Sequence, residues 1–190
     1  MWSDGTPDNH DILLRKSTNG GASFGSIINL SEDLPGYSEQ PSVAVNGNDV
    51  YLVWRETTSN PSSDEIYYSR STDGGVTFSD SINLSNTAGT SGVPVVANSG
   101  NNVYIAWADS GSLPASSSET LLRKSTDNGA TFESTINLSN SNFINSGKPS
   151  LVAFDNNVYI AWVSMARVQS LSYYLEGALM EEARLKVLKI

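Results

Sequence analysis

The sequence predicts an all-β protein built from repeated four-stranded units. Short runs rich in Val, Ile, Leu, Tyr and Trp alternate with segments crowded with Ser, Thr, Asn and Gly, as expected for many short strands joined by turns. An eight-residue motif also recurs with a period of 54 residues, at positions 17–24, 71–78 and 125–132. A period of this length is typical of proteins in which each repeat is one structural unit that stacks on its neighbours.

The recurring motif has the chemistry of a turn. Its third position is Asn or Asp, which can bond local backbone N–H groups, and its Gly residues supply positive φ. We therefore predict an architectural role, with the terminal Phe packed between units. The positions that carry this role are Ser17, Asn19, Gly21 and Phe24 in the first copy, Ser71, Asp73, Gly75 and Phe78 in the second, and Ser125, Asp127, Gly129 and Phe132 in the third.

Two further markers delimit the repeat. The pattern Val-Tyr-x-x-Trp occurs at 50–54, 103–107 and 158–162, and a short apolar run before each copy opens with Pro41, Pro94 or Pro149. One unit, residues 41–84, then reads as strands at 42–45, 50–54, 65–70 and about 78–84, with the motif as its last turn. Four antiparallel strands per repeat predict the blade of a β-propeller.

The pattern S-x-D-x-G-x-[ST]-F between the third and fourth strands resembles the Asp-box (BNR) repeat of the sialidase-like β-propeller family. The resemblance covers residues 1–164, and Asn19 replaces the usual Asp in the first copy. In that family the boxes lie on the face away from the active site. The resemblance therefore implies the fold and leaves the activity open.

The repeats predict about three blades' worth of chain. Complete units span about 41–84 and 93–138, while 11–30 supplies only the last two strands of a unit and 149–163 only the first two. Half-units leave unpaired edges and uncovered apolar faces. Two explanations stay open: a head-to-tail homodimer whose half-units pair to close the six-bladed ring common in the family, or a piece of a longer propeller.

Residues 165–190 differ from the repeats before them. The segment lacks Asn and Asp, and its apolar residues Val168, Leu171, Leu175, Leu179 and Leu185 recur at roughly helical spacing. We predict a C-terminal amphipathic helix, either a docking helix or a tail foreign to the repeats. The chain thus divides into a repeat domain, 1–164, and a tail, 165–190.

Composition excludes several classes of partner. The net charge of -9 argues against nucleic acid, which requires clustered Lys and Arg. The chain has no Cys for disulfides or thiolate metal sites, and we expect neither a cofactor nor a metal. No export signal opens the sequence, and no apolar run approaches the roughly 18 residues of a membrane span. The resemblance favours the cell surface or exterior.

Any site is expected on the loops opposite the motif turns. A residue that recurs in every copy serves the unit, whereas a residue unique to one copy is free for function. Arg15 and Arg123 are equivalent, so they do not form a sialidase-style arginine clamp. Arg55 and Lys148 are unique, and could hold a carboxylate-bearing ligand or simply be surface bases. The triplets Asn-Leu-Ser at Asn29, Asn83 and Asn137 fit a glycosylation pattern, but their repetition favours a structural role.

Tyr37 and Glu39 resemble in type the Tyr nucleophile and acidic helper of sialidases, although the family's arginine triad and Arg-Ile-Pro segment are absent here. Three acidic residues each follow a repeated Trp by two positions: Asp4, Glu56 and Asp109. We expect them to be solvated loop carboxylates or, alternatively, to form a cation site. His10 is the only histidine, so the sequence lacks residues for a Ser-His-Asp triad or for a metal site with several His ligands.

The sequence favours a non-catalytic recognition module that binds glycan or protein through the loop face. The residues expected to contact the ligand are Tyr37, Arg55, Glu56, Asp109 and Lys148. The alternatives are a fragment of a sialidase-type glycoside hydrolase and a surface protein whose repeats act only as spacers.

Overall fold

A computed structural model describes residues 1–6, 9–34, 36–57, 63–111, 118–140, 144–166 and 183–189. Within these ranges every regular element is a β-strand, which confirms the all-β prediction. The strands are β1 (Trp2–Thr6), β2 (Asn9–Leu14), β3 (Ile28–Asn29), β4 (Tyr37–Asn46), β5 (Asp49–Thr57), β6 (Asp64–Ser71), β7 (Ile82–Asn83), β8 (Thr90–Ser99), β9 (Asn102–Ser110), β10 (Glu119–Ser125), β11 (Ile136–Asn137), β12 (Ile144–Phe154), β13 (Asn157–Ala166) and β14 (Ala183–Lys189). The described part of the chain contains no helix that could cross a membrane.

The strands group into four antiparallel units. Unit 2 (β4–β7) and unit 3 (β8–β11) each have four strands in sequence order, unit 1 contains β1–β3, and unit 4 contains β12–β14. A single parallel pair, His10 with Tyr37, joins units 1 and 2 into one sheet. The first strand of units 2, 3 and 4 carries a bulge just before its apolar run, between Glu39 and Ser42 in β4.

The strands predicted for unit 2 lie inside β4, β5 and β6, but the fourth strand is much shorter than predicted. Only Ile82 and Asn83 pair with β6, whereas residues 78–84 were expected to form a strand. The segment is instead held at its two ends, where the Ser79 N–H donates to the Arg70 carbonyl at 2.8 Å and the Leu84 N–H to the Ile66 carbonyl at 2.7 Å.

The predicted C-terminal helix is wrong for Ala183–Lys189, which form β14 along the edge of β13. The side chains there alternate between basic and apolar from Arg184 to Val187, the period of two that suits a strand, and β13 offers an unpaired edge. The rest of the predicted helix, residues 167–182, lies outside the described part of the chain. Because β14 pairs with β13 and β1 pairs with β2, the edges expected to join two copies are occupied within the chain.

The core consists of three apolar layers, one between each pair of neighbouring units. In units 2 and 3 the second strand contributes to two layers, one on each of its faces. In β5, Leu52 and Trp54 pack towards unit 1, while Tyr51 and Val53 pack towards unit 3. Burial on both faces explains why Val-Tyr-x-x-Trp is a near-continuous apolar run rather than an alternating one. The ring of each buried Trp removes on the order of 200 Å² from water, so these residues dominate the contacts between units.

The motif forms the same hydrogen-bonded turn three times, hereafter the repeat turns (17–24, 71–78 and 125–132). In the second, the Gly75 N–H donates to Ser71 Oγ at 2.8 Å, while the Thr77 N–H and hydroxyl donate to the Asp73 carboxylate at 3.0 and 2.6 Å. These bonds lower the pKa of Asp73 well below its ordinary value. In the first turn the Asn19 amide keeps the acceptor role but donates its second bond, from Nδ2 to Ser23 Oγ at 2.8 Å.

The terminal Phe of the repeat turns packs between units in two copies of three. Phe78 joins the layer between units 1 and 2, and Phe132 meets Tyr68 edge to face, with centroids 5.0 Å apart. The same expectation is wrong for Phe24, whose surface is 57% exposed. No described unit precedes unit 1, so the ring of Phe24 has no surface to pack on.

The Ser of each Asn-Leu-Ser triplet fastens the short fourth strand to the third. In unit 2 the Ile66 N–H donates to Ser85 Oγ at 2.8 Å, and the Ser85 hydroxyl donates to the Glu65 carboxylate. Unit 3 repeats both bonds with Ser139 and Glu119. The repetition of the triplet thus has a structural cause.

We predict that the repeat-turn carboxylates make the fold sensitive to acid. Because the pKa values of Asp73 and Asp127 are lowered in the folded state, both groups stabilise the fold above the ordinary Asp pKa of about 4. This stabilisation is lost as the pH falls below that value. Urea denaturation across this range should show that acid lowers the free energy of unfolding less in the double variant Asp73→Asn/Asp127→Asn. In this variant both turns carry Asn, as the first turn does at Asn19. An equal loss in wild type and variant would contradict the prediction.

We predict that the same substitution destabilises the fold unequally at equivalent glycines of two repeat turns. Gly21 and Gly129 both have positive φ, 87° and 74°, so replacement by Ala costs about 1 kcal/mol at either site. A β-carbon at 21 meets nothing, whereas one at 129 overlaps the buried Tyr68 hydroxyl. Gly129→Ala should therefore cost roughly 1–3 kcal/mol more than Gly21→Ala. The free energy of unfolding measures the difference, and equal values would show that the turn moves aside freely.

Candidate functional site

Five polar and aromatic side chains meet on the loop face, at the strand ends opposite the repeat turns. The starts of β2, β4 and β6 and the end of β5 bring them together from units 1 and 2. We call them the loop-face cluster: His10, Tyr37, Glu39, Arg55 and Asp64.

Arg55 is the centre of the cluster. It lies directly opposite Glu39 in the β4–β5 ladder, so both side chains emerge on the same face of the sheet. Its Nη2 donates to Glu39 Oε2, and its Nη1 donates to Asp64 Oδ2 at 3.4 Å. The planar guanidinium thus bridges two carboxylates, and the side chains of all three residues stay partly open to solvent.

His10 and Tyr37 extend the cluster towards unit 1. His10 Nδ1 lies 3.0 Å from Glu39 Oε1, and its ring meets the Tyr37 ring edge to face at 4.8 Å. Tyr37 is 42% exposed. An accessible aromatic ring therefore stands beside a fixed array of hydrogen-bonding groups.

Glu56 and Asp109, expected as loop-face ligands or solvated carboxylates, are instead buried. Glu56 accepts from the Ser38 hydroxyl and from Trp54 Nε1 at 3.3 Å, and burial raises its pKa. Asp109 accepts from Ser91 Oγ at 2.8 Å. These acids lie under the loop face, where a ligand does not reach them in this conformation. The side chain of Asp4 lies outside the described part of the structure, and the described side chains contain no cluster suited to a metal.

Lys148 lies apart from the cluster, on a recess of about 250 Å³ between units 3 and 4. The recess connects to the cluster through Val93, which lines it and whose N–H donates to Gln40 Oε1 at 2.7 Å. The Arg55 side chain in turn lies beside Gly92. The loop face thus presents one continuous strip from His10 to Lys148.

The bulges of the first strands position this strip. Gln40, Val93 and Lys148 each precede a repeated Pro and each have positive φ, at 54°, 52° and 52°. Such backbone is unusual for any non-glycine residue and most of all for the β-branched Val93. Bulges next to sites re-aim side chains, and here three different side chains occupy the same bulge.

His10 and Asp64 were not expected among the candidate site residues, although the sequence carries a signal for them. The two occupy the same repeat position, at the start of the third strand, where unit 3 has Ser118. Tyr37 likewise corresponds to Thr90 and Asn145. Variation between copies at these positions marks the strand ends that gather on the loop face.

Comparison with known proteins gives information on the fold. No family model and no curated protein matches the chain. Among solved structures, the chain is similar to the GH93 α-L-arabinofuranosidase of Fusarium graminearum in complex with arabinobiose, with a TM-score of 0.65 and 13% identity over 98% of this chain and 56% of that one. It is also similar to the endosialidase of phage phi92, with a TM-score of 0.61 and 14% identity over 95% of this chain.

The chain spans 56% and 31% of the lengths of these two proteins. At such low identity the likeness concerns the fold and not the activity. The stacked antiparallel units and these structural neighbours together show that the chain has the fold of the sialidase-like β-propellers.

Proposed function

We propose that the chain is a carbohydrate-recognition module that binds through the loop-face cluster without hydrolysing its ligand. The observation that carries the proposal is the accessible Tyr37 ring beside the Glu39–Arg55–Asp64 array. Sugars present C–H faces that pack on aromatic rings and paired hydroxyls that bond carboxylates and guanidinium groups. A few fixed polar groups beside an aromatic surface are the usual means of orienting such a ligand.

The charges favour a neutral glycan. The Arg55 guanidinium already serves two carboxylates, so the cluster carries more negative than positive charge when His10 is neutral. A ligand carboxylate would be repelled there, which argues against the carboxylate-bearing ligand first considered for Arg55. The arabinobiose bound by the solved arabinofuranosidase is a neutral sugar of the kind that fits.

Glycoside hydrolysis is the second candidate, because both structural neighbours are named as glycosidases. Hydrolysis requires an accessible carboxylic acid to protonate the leaving group, with a second group nearby that is a carboxylate in most glycosidases and a Tyr in sialidases. Glu56 has a raised pKa but is 1% exposed and bonded to Ser38 and Trp54. Glu39 and Asp64 bind the same guanidinium. Recognition therefore fits the geometry better than catalysis.

Tyr37→Ala should weaken binding of neutral oligosaccharides, arabino-oligosaccharides first, by about tenfold or more, equivalent to 1.4 kcal/mol. The reason is loss of the aromatic surface, while the strand backbone of β4 is kept. Isothermal titration of ligands chosen on a glycan array measures the change. Val76→Ala is the matched control, since Val76 is an exposed apolar residue on a repeat turn, on the opposite face.

Equal affinity of wild type and Tyr37→Ala would show that the loop-face cluster is not the binding site. No binding to any glycan on the array would refute a glycan ligand. Arg55→Lys keeps the charge but loses the planar fork, so it should also weaken binding. Hydrolysis of a fluorogenic arabinofuranoside or sialoside, measured as release of its fluorophore, would identify a hydrolase instead.

A further inference from the structure

Within the described part of the chain, the first and last units of the stack each leave one apolar face uncovered. The leading face, on unit 1, consists of the exposed Trp2 and Phe24 and the half-buried Leu13, which lies directly opposite Trp2 in the β1–β2 ladder. The trailing face, on unit 4, consists of Val152, Phe154 and Tyr159. Most of these side chains have covered equivalents inside the chain, which indicate what fits the two faces.

The leading face matches surfaces that are buried three times within the chain. Trp54, Trp107 and Trp162 hold the position of Trp2 in units 2, 3 and 4, and all three are buried against the preceding unit. Trp2 is 39% exposed. Phe24 stands out in the same way from Phe78 and Phe132, which pack on the preceding unit.

The trailing face shows the complementary difference. Tyr51 and Tyr104 hold the position of Tyr159 in units 2 and 3, and each is buried against the following unit. Tyr159 is 41% exposed. Val152 corresponds to Ala44, which packs on the layer between units 2 and 3. The larger side chain at 152 therefore offers more apolar surface than its covered equivalent.

We infer that copies of this chain associate head to tail, with the leading face of one copy on the trailing face of another. Inside the chain, the surface of each unit that is equivalent to the leading face packs on the surface of the preceding unit that is equivalent to the trailing face. A second copy therefore offers, at its opposite end, a partner of matching shape and chemistry for either face. The contact is heterologous, because the two surfaces differ. It needs no exchange of strands, since β14 already pairs with β13 and β1 with β2. The inference is independent of the proposed glycan ligand.

Sedimentation and light scattering of the 190-residue chain test this association. Wild type at about 100 µM should contain two or more chains, because association removes exposed apolar side chains such as Phe24 and Tyr159 from water. Phe24→Asp and Tyr159→Asp should each give monomers, because every copy then lacks one functional face. Mixing the two variants should restore a dimer, because the intact trailing face of Phe24→Asp meets the intact leading face of Tyr159→Asp.

Both variant sites are exposed, so circular dichroism should show folded protein in each case. Val76→Asp, at an exposed site away from both faces, is the control and should keep the wild-type mass. A monomeric wild type overturns the inference. So does an effect of only one variant, which would indicate a symmetric contact, or a mixture that stays monomeric.

Discussion

The structure depends on one constraint: the second strand of each unit has two apolar faces, and a single sheet cannot cover both. In β9, Tyr104 and Ala106 face one neighbour while Ile105 and Trp107 face the other. An inner unit therefore needs a neighbour on each side, as in other repeat proteins whose stability resides in contacts between neighbours. Stacking fixes the direction of the strands, and with it the separation of the repeat turns on one side from the variable loops on the other.

The repeat turns are similar in sequence and the loops on the opposite side vary, because only the turns are closed by their own side-chain hydrogen bonds. On one side Ser, Asp or Asn and Gly recur because the turn is closed by its own hydrogen bonds. On the other side the chain passes between strands without such a requirement, and the residues differ from copy to copy. His10, Arg55 and Glu39 are held by strand ends and by one another. The candidate site is thus anchored to strand ends, while its residues vary in composition from copy to copy.

Most of the fold could be predicted from the sequence, because periodicity and turn chemistry act locally. The repeat turns, the three long strands of unit 2 and the packing of Phe78 and Phe132 follow directly from the motifs. Failures arise where a distant partner decides the outcome. The segment of β14 joins the free edge of β13, and the buried Glu56 accepts a hydrogen bond from Ser38, which lies on the neighbouring strand β4. Arg55 was singled out because it is unique among the copies, and Tyr37 because it resembles in type the sialidase nucleophile, but the link through Asp64 required coordinates.

The bulge before each repeated Pro has a consequence for engineering. Its left-handed backbone accommodates Gln40, Val93 and Lys148 alike, so the scaffold, rather than the side chain, sets the bulge. A residue at this position can be exchanged with little change to the sheets, and Gly or Asn there would relieve backbone strain. Randomising these three positions would vary a contiguous surface on a constant framework, as antibody loops do on theirs. The fold therefore offers a starting point for selecting binders by display methods.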